Sequence, residues 1–165
     1  MIKQGITLIG MPGAGKSTIG KILADRLGKL LKQKVIHLAD LPAPDMLKRI
    51  VAQPGYPVVM LENMRFWPGE EKNDKKFAQQ LSQLGDVYVN DAFSVSHRAH
   101  ASVEGITHFS KSYAGLTLGN EVENLVKVLA SKLKPKVAIV GGAKLETKVK
   151  VIKNLLKKMD WILVG

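Results

Sequence analysis

Short apolar runs alternate with amphipathic stretches of helical period along most of the chain, and this alternation constrains the fold more tightly than any single residue. Ile6–Ile9, Val35–Leu38, Val58–Leu61, Val87–Val89, Val137–Val140 and Ile162–Val164 are brief and rich in Val and Ile, the pattern of buried strands. Between them Ile19, Leu23, Leu27 and Leu30 recur at helical spacing, as do Phe77, Leu81 and Leu84. Val122, Leu125, Leu129 and Leu133 repeat the pattern, and Leu145, Val149, Ile152, Leu156 and Met159 give the last such stretch. A shorter helix is expected from about Pro44 to Ala52, closed by Pro54-Gly55. Strands separated by helices imply an α/β fold: a three-layer parallel sheet with helices on both faces and right-handed crossovers.

The segment from Asp91 to Leu116 breaks this rhythm. It carries His97, Arg98, His100, Ser102 and His108 with little apolar period, so it reads as a loop-rich connection of the kind that often holds functional residues. A domain boundary is expected near Lys134-Pro135, dividing the chain into residues 1–134 and a strand–helix–strand unit at 135–165.

Composition narrows the classes of function. No apolar run approaches the roughly 18 residues of a membrane span, so no membrane partner is expected. The absence of cysteine excludes disulfides, thiolate metal sites and cysteine nucleophiles. Residues 1–5 lack the apolar core of a signal peptide, and a soluble cytoplasmic protein is expected. The 25 Lys+Arg outweigh the 14 Asp+Glu, for a formal net charge of +11. Between Lys127 and Lys158 the lysines face a single acid, Glu146, a surface that attracts nucleic acid or phosphorylated metabolites. No aromatic residue interleaves with these lysines as base stacking requires, so nucleic acid is the weaker of the two partners.

Residues 10–17, Gly-Met-Pro-Gly-Ala-Gly-Lys-Ser, fit GxxxxGK[ST] without a mismatch, with an expected strand before them and an expected helix from about Lys16. Glycines let successive N–H groups converge on a phosphate, and the helix N-terminus adds partial positive charge. The candidate nucleotide-binding residues are therefore Gly10, Gly13, Ala14, Gly15, Lys16, Ser17 and Thr18. Lys16 would reach the outer phosphates and the Ser17 hydroxyl would help to hold Mg²⁺. The wider stretch from Leu8 to Lys21 resembles the start of shikimate kinases, a likeness that covers about the first 28 residues. That family's two-aspartate pattern is reduced here to Asp40, and its third-strand glycine triplet is replaced by Glu62-Asn63-Met64, which argues against shikimate as acceptor.

From about Leu30 onward the chain resembles phosphoglycerate kinase. The resemblance rests first on Leu61-Glu62-Asn63-Met64-Arg65-Phe66 followed by Pro68-Gly69-Glu70-Glu71-Lys72-Asn73-Asp74. A second motif is Gly85-Asp86-Val87-Tyr88-Val89-Asn90-Asp91-Ala92-Phe93 followed by His97-Arg98-Ala99-His100-Ala101-Ser102, and a third is Gly141-Gly142-Ala143-Lys144 with Lys148. It implies reversible transfer of a phosphoryl group from ATP to the carboxyl oxygen of 3-phosphoglycerate, with no covalent enzyme intermediate. It also implies that Arg65 and Arg98 bind phosphoglycerate, that Lys144 stabilises charge on the moving phosphoryl group, and that Lys148 contacts nucleotide phosphate. His97 and His100 are expected to hydrogen-bond locally rather than do chemistry.

The family's first strand and its His-Leu-Gly-Arg-Pro turn are absent, and the P-loop unit stands where that turn would be. The chain thus reads as parts of two kinases joined within one helix, stopping shortly after a second domain has begun. Setting Ile6–Ile9 between Val58–Leu61 and Val87–Val89 gives a P-loop/Rossmann-like core of strand order 2-3-1-4. That order would bring Glu62 and Asp91 to the ends of the flanking strands as Mg²⁺ ligands. Three readings follow. The first is an ATP-dependent phosphotransferase of phosphoglycerate-kinase type, chimeric or incomplete, with weak or no turnover. The second is a P-loop domain holding ATP and Mg²⁺ without efficient catalysis, and the third an inactive module whose lysine face binds polyanions.

Overall fold

The computed structural model describes residues 7–10, 16–52, 58–142 and 149–165; of residues 7–10, 16–18, 44, 47, 48 and 51 it describes the backbone alone. The chain opens with β1 (Thr7–Gly10), α1 (Lys16–Leu31), β2 (Val35–Leu38), α2 (Pro44–Val51) and β3 (Val58–Asn63). The three strands form a parallel sheet of order β2-β3-β1. Register places Val35 opposite Val58, His37 opposite Met60 and Gly10 opposite Asn63. Its central place explains the composition of β3: an interior parallel strand is covered on both faces, and Val58, Val59, Leu61, Glu62 and Asn63 are all buried.

Successive strand side chains point to opposite faces. α1 lies against the face that carries Val35 and His37, where Gly28 approaches Val35 and Gly20 approaches the His37 ring. From the other face Val59 and Leu61 enter the main core with Phe77, Ala78 and Leu81 of α4 (Lys75–Ser82). Between β3 and α4 the chain makes a 3-10 turn, Met64–Phe66, and the short α3 (Pro68–Glu71). Asp74 caps α4 by accepting the Phe77 N–H at 2.8 Å.

β4 (Val87–Asn90) pairs in parallel with β5 (Lys111–Ala114), and α5 (Leu116–Ala130) follows. β5 falls inside the segment expected to be a loop-rich connection. Its sequence, Lys-Ser-Tyr-Ala, is exposed along its whole length and so carries no apolar alternation by which a strand could be recognised. Among the described residues β4 is hydrogen-bonded to β5 and not to β1, so the sheet stops at β2-β3-β1 without the fourth member of the expected order.

The chain divides into two compact units, Met1–Leu118 and Gly119–Gly165. Within the second, β6 (Val137–Val140) and β7 (Trp161–Val164) pair in parallel, with α6 (Val149–Leu155) between them in sequence. Asp160 fastens the starts of both strands, accepting the Lys136 N–H at 2.8 Å and the Lys134 ammonium at 2.9 Å. Ile139 and Trp161 remain 79% and 65% exposed. The helix expected from Leu145 is seen from Val149, since residues 143–148 lie outside the described residues. Among the described residues no helix is long and apolar enough to cross a membrane.

Candidate functional site

A strand and a helix flank the glycine-rich segment as expected: Gly10 closes β1, and Lys16, Ser17 and Thr18 open α1. Gly13, Ala14 and Gly15 lie outside the described residues, as do the side chains of Lys16, Ser17 and Thr18 and the whole of Lys144 and Lys148. Gly10 is in register with Asn63, so the buried end of β3 borders the strand end that leads into this segment.

Glu62 is 4% exposed. Its Oε1 accepts the Asn63 N–H at 2.7 Å, while Oε2 faces His37 Nε2 at 3.5 Å, and among the described residues neither of those two facing atoms has a hydrogen-bond partner. Asn63 Oδ1 accepts the Arg65 N–H at 3.1 Å and so turns the chain into Met64–Phe66. Arg65 is half-buried there, its Nε 3.9 Å from Glu71 Oε1.

Asp91, just after β4, is exposed and acts on α5: Oδ1 accepts the Leu118 N–H at 3.0 Å. That bond, joined by hydrogen bonds from Thr117, holds its carboxyl below the ordinary value. The structure therefore places this carboxylate at a helix N-terminus, just beyond a strand that is not bonded to β1 among the described residues. Among the described residues no group of three or more His, Asp or Glu gathers as a metal site. Magnesium that arrives with nucleotide phosphates needs only one or two protein groups. Glu62 Oε2, buried without a hydrogen-bond donor among the described residues, is an oxygen that suits that requirement.

Arg98 is exposed, on the turn that follows the 3-10 segment Phe93–Val95, and its N–H donates to the Val95 carbonyl at 3.0 Å. Asn90 braces the near side of this turn, accepting the Ala92 N–H and donating to Ser96 Oγ, both at 3.0 Å. Glu70 braces the far side. Its carboxylate accepts the Ser102 N–H at 2.9 Å and the Ser102 hydroxyl at 2.5 Å, and its backbone carbonyl accepts the Ala101 N–H at 2.9 Å. His100 Nδ1 stands 3.6 Å from the same carboxylate, beyond hydrogen-bond distance and 30 residues from it in sequence, whereas His97 is exposed. Burial and the Glu70 charge push the Tyr88 phenol up to about 12. Further on, Glu104 accepts from Asn73 Nδ2 and lies 2.6 Å from His108 Nε2.

Sequence reasoning gave no role to Glu70 or His37. Glu70 stands inside a quoted motif, but its partner is 32 residues away and no local spacing marks it. His37 is a lone polar residue in an apolar strand, which is a signal that could have been read.

Parallel strands alternating with helices place the chain among the α/β proteins. The family model described as phosphoglycerate kinase matches residues 7–165, and the chain belongs to that family. It is 45% identical over 161 residues to the phosphoglycerate kinase of Wolbachia sp. subsp. Drosophila simulans (strain wRi), covering 97% of this chain and 40% of that protein. It is 48% identical over 143 residues to that of Moorella thermoacetica, covering 87% and 36%. The solved phosphoglycerate kinase from Coxiella burnetii superposes with a TM-score of 0.68 at 35% identity, covering 99% of this chain and 42% of that one. The one from Pyrococcus horikoshii OT3 gives 0.77 at 31% identity, covering 97% and 42%. The chain thus spans about two fifths of the length of the curated relatives it matches. The family match takes in Leu8 to Lys21.

Proposed function

We propose that this chain is a phosphotransferase segment of phosphoglycerate-kinase type that binds ATP or ADP with Mg²⁺ and 3-phosphoglycerate, with weak or no turnover by itself. The observation that carries the reading is the family match through residues 7–165, which includes Arg65, Arg98, Lys144 and Lys148. Arg65 and Arg98 hold the phosphoglycerate, since guanidinium forks bind phosphate or carboxylate bidentately. Gly10, Gly13, Ala14 and Gly15 with Ser17 and Thr18 cradle nucleotide phosphate, and Lys148 adds a contact to it. Lys16 and Lys144 spread the charge that builds on the moving phosphoryl group, where positioning and neutralisation lower the barrier. Bound Mg²⁺ neutralises phosphate charge, with Ser17 and Glu62 as its candidate ligands; Asp91 would have to leave its cap on α5 to join them.

The same reading adds β4 to the sheet, giving order 2-3-1-4 in a three-layer domain of residues 1–134, with 135–165 beginning another. It also treats residues 1–28 as a P-loop unit of separate origin. Isothermal titration tests the site. Saturable binding of ATP–Mg²⁺ that Lys16→Ala abolishes supports the P-loop, and binding that survives Lys16→Ala but fails in Lys148→Ala moves the nucleotide to the site implied by family resemblance. Loss of 3-phosphoglycerate binding by about tenfold or more in Arg65→Ala or Arg98→Ala supports the acceptor site. Robust coupled ATP synthesis from 1,3-bisphosphoglycerate would overturn the weak turnover.

A second reading, a polyanion-binding module, is favoured by one observation. Lys134, Lys136, Lys157 and Lys158 line a cleft of about 450 Å³ whose acid, Asp160, is already engaged by Lys134 and the Lys136 N–H. It is supported by nucleic-acid retention that weakens steeply with salt while ATP gives no saturable signal.

A further inference from the structure

We infer that Glu70 is a positioning residue: through Ser102 it holds the Arg98 turn in fixed relation to the segment that carries Arg65. The inference rests on the reading of these two arginines as the phosphoglycerate site. Arg65 lies in the 3-10 turn Met64–Phe66, and Glu70 follows it on α3. The Glu70 side chain is buried at 3% exposure, and its carboxylate and carbonyl take three donors from Ala101 and Ser102. A buried carboxylate satisfied by charge-assisted bonds fixes its partners' geometry better than an exposed ion pair would. Arg98, exposed and with no ion pair among the described residues, is held in place by its flanks: Asn90 pins Ser96 on one side and Glu70 pins Ala101 and Ser102 on the other.

Serine 102 is the better lever, because Ser102→Ala removes the hydroxyl donor and leaves the backbone donor at 2.9 Å in place. On the full chain, 3-phosphoglycerate affinity is titrated for wild type, Ser102→Ala, Ser102→Thr and Glu70→Gln, each first shown folded by circular dichroism at the titration temperature. Ser102→Ala and Glu70→Gln are expected to weaken binding by about threefold to tenfold, and Ser102→Thr, which keeps the hydroxyl, to restore it. In an Arg98→Ala background Ser102→Ala is expected to have no further effect, because the turn then presents no guanidinium. An equal loss in both backgrounds, or no loss in either, would overturn the inference.

Backbone ¹⁵N relaxation reads the same latch without any ligand. The Arg98 amide is expected to gain fast motion in Ser102→Ala while the Arg65 amide is unchanged, and an Arg98 amide that stays rigid counts against the latch. If wild type fails to bind 3-phosphoglycerate, the acceptor reading falls while the relaxation result still decides whether Glu70 orders the turn.

Discussion

His37 Nε2 and Glu62 Oε2 face each other at 3.5 Å between β2 and β3, with side chains only 9% and 5% exposed, and Gly20 of α1 presses against the imidazole. The separation is too long for a good hydrogen bond, so two polar groups are buried for little return. What the pair does fix is the identity of residue 20: a methyl group there would run into the ring. Gly20→Ala is therefore expected to destabilise the fold by about 1–3 kcal/mol, although alanine is the better helix former by roughly 1 kcal/mol. In a His37→Ala background the clash is gone, and the same change should be neutral or stabilising. Urea denaturation of the four proteins gives the coupling, and additive effects would show that the ring is not what excludes the methyl group.

Tyr88 makes stability depend on alkaline pH. In the unfolded chain its phenol loses a proton near 10.0, and in the folded chain near 12, because burial and the Glu70 carboxylate disfavour the phenolate. Between those values the unfolded state sheds a proton that the native state keeps, so stability falls with rising pH. The contribution is whole below 10.0 and is lost as pH rises through about 12. Thermal midpoints followed upward from neutral pH should drop less steeply for Tyr88→Phe than for wild type, and parallel curves would argue against this origin.

The regions legible in the sequence are those whose apolar residues follow a local pattern. β2, β3 and β6 were marked by Val- and Ile-rich runs, and α1 and α4 by apolar residues on one face. β5 was not legible because it is exposed, and an exposed strand needs no hydrophobic alternation. Arg65 and Arg98 could be picked out by motif, but what orders them could not. Glu70 and Ser102 are 32 residues apart, with β4 and the turns after it between them, and nothing in the local chain foretells that meeting. Asp91 carried an acid's obvious signal and an ambiguous meaning: ending a strand, it could hold a cation or begin a helix, and it caps α5.

That cap is itself open to measurement. The Leu118 N–H, with Thr117, lowers the Asp91 carboxyl below its ordinary value of 3.8. A carboxylate depressed by folding stabilises above its unfolded value, and that contribution is lost as pH falls through the folded one. Carboxyl ¹³C shifts should show Asp91 titrating below 3.8, and Asp91→Ala should speed hydrogen exchange at Thr117 and Leu118. Asparagine caps nearly as well, so Asp91→Asn should leave those amides protected. Exchange that is unchanged in the alanine variant would remove the cap from the account.

Gly105 and Gly119 offer the same substitution with opposite signs. Gly105 is buried in the 3-10 turn Gly105–His108, and a Cβ there would strike Asn73 Oδ1 and the Ala78 Cβ of α4. Neither neighbour can retreat, since Ala78 is fully buried in the core and the Asn73 amide is held by Glu104. Gly105→Ala should cost about 1–3 kcal/mol. Gly119 lies inside α5 with nothing within 4 Å of an added methyl group. There alanine only removes the backbone freedom that glycine keeps in the unfolded chain, so Gly119→Ala should stabilise by roughly 0.5–1 kcal/mol. Denaturation midpoints that move in opposite directions for the two variants would tie the sign to the space around each Cα, and a loss at Gly119 would mean that α5 is packed on that side.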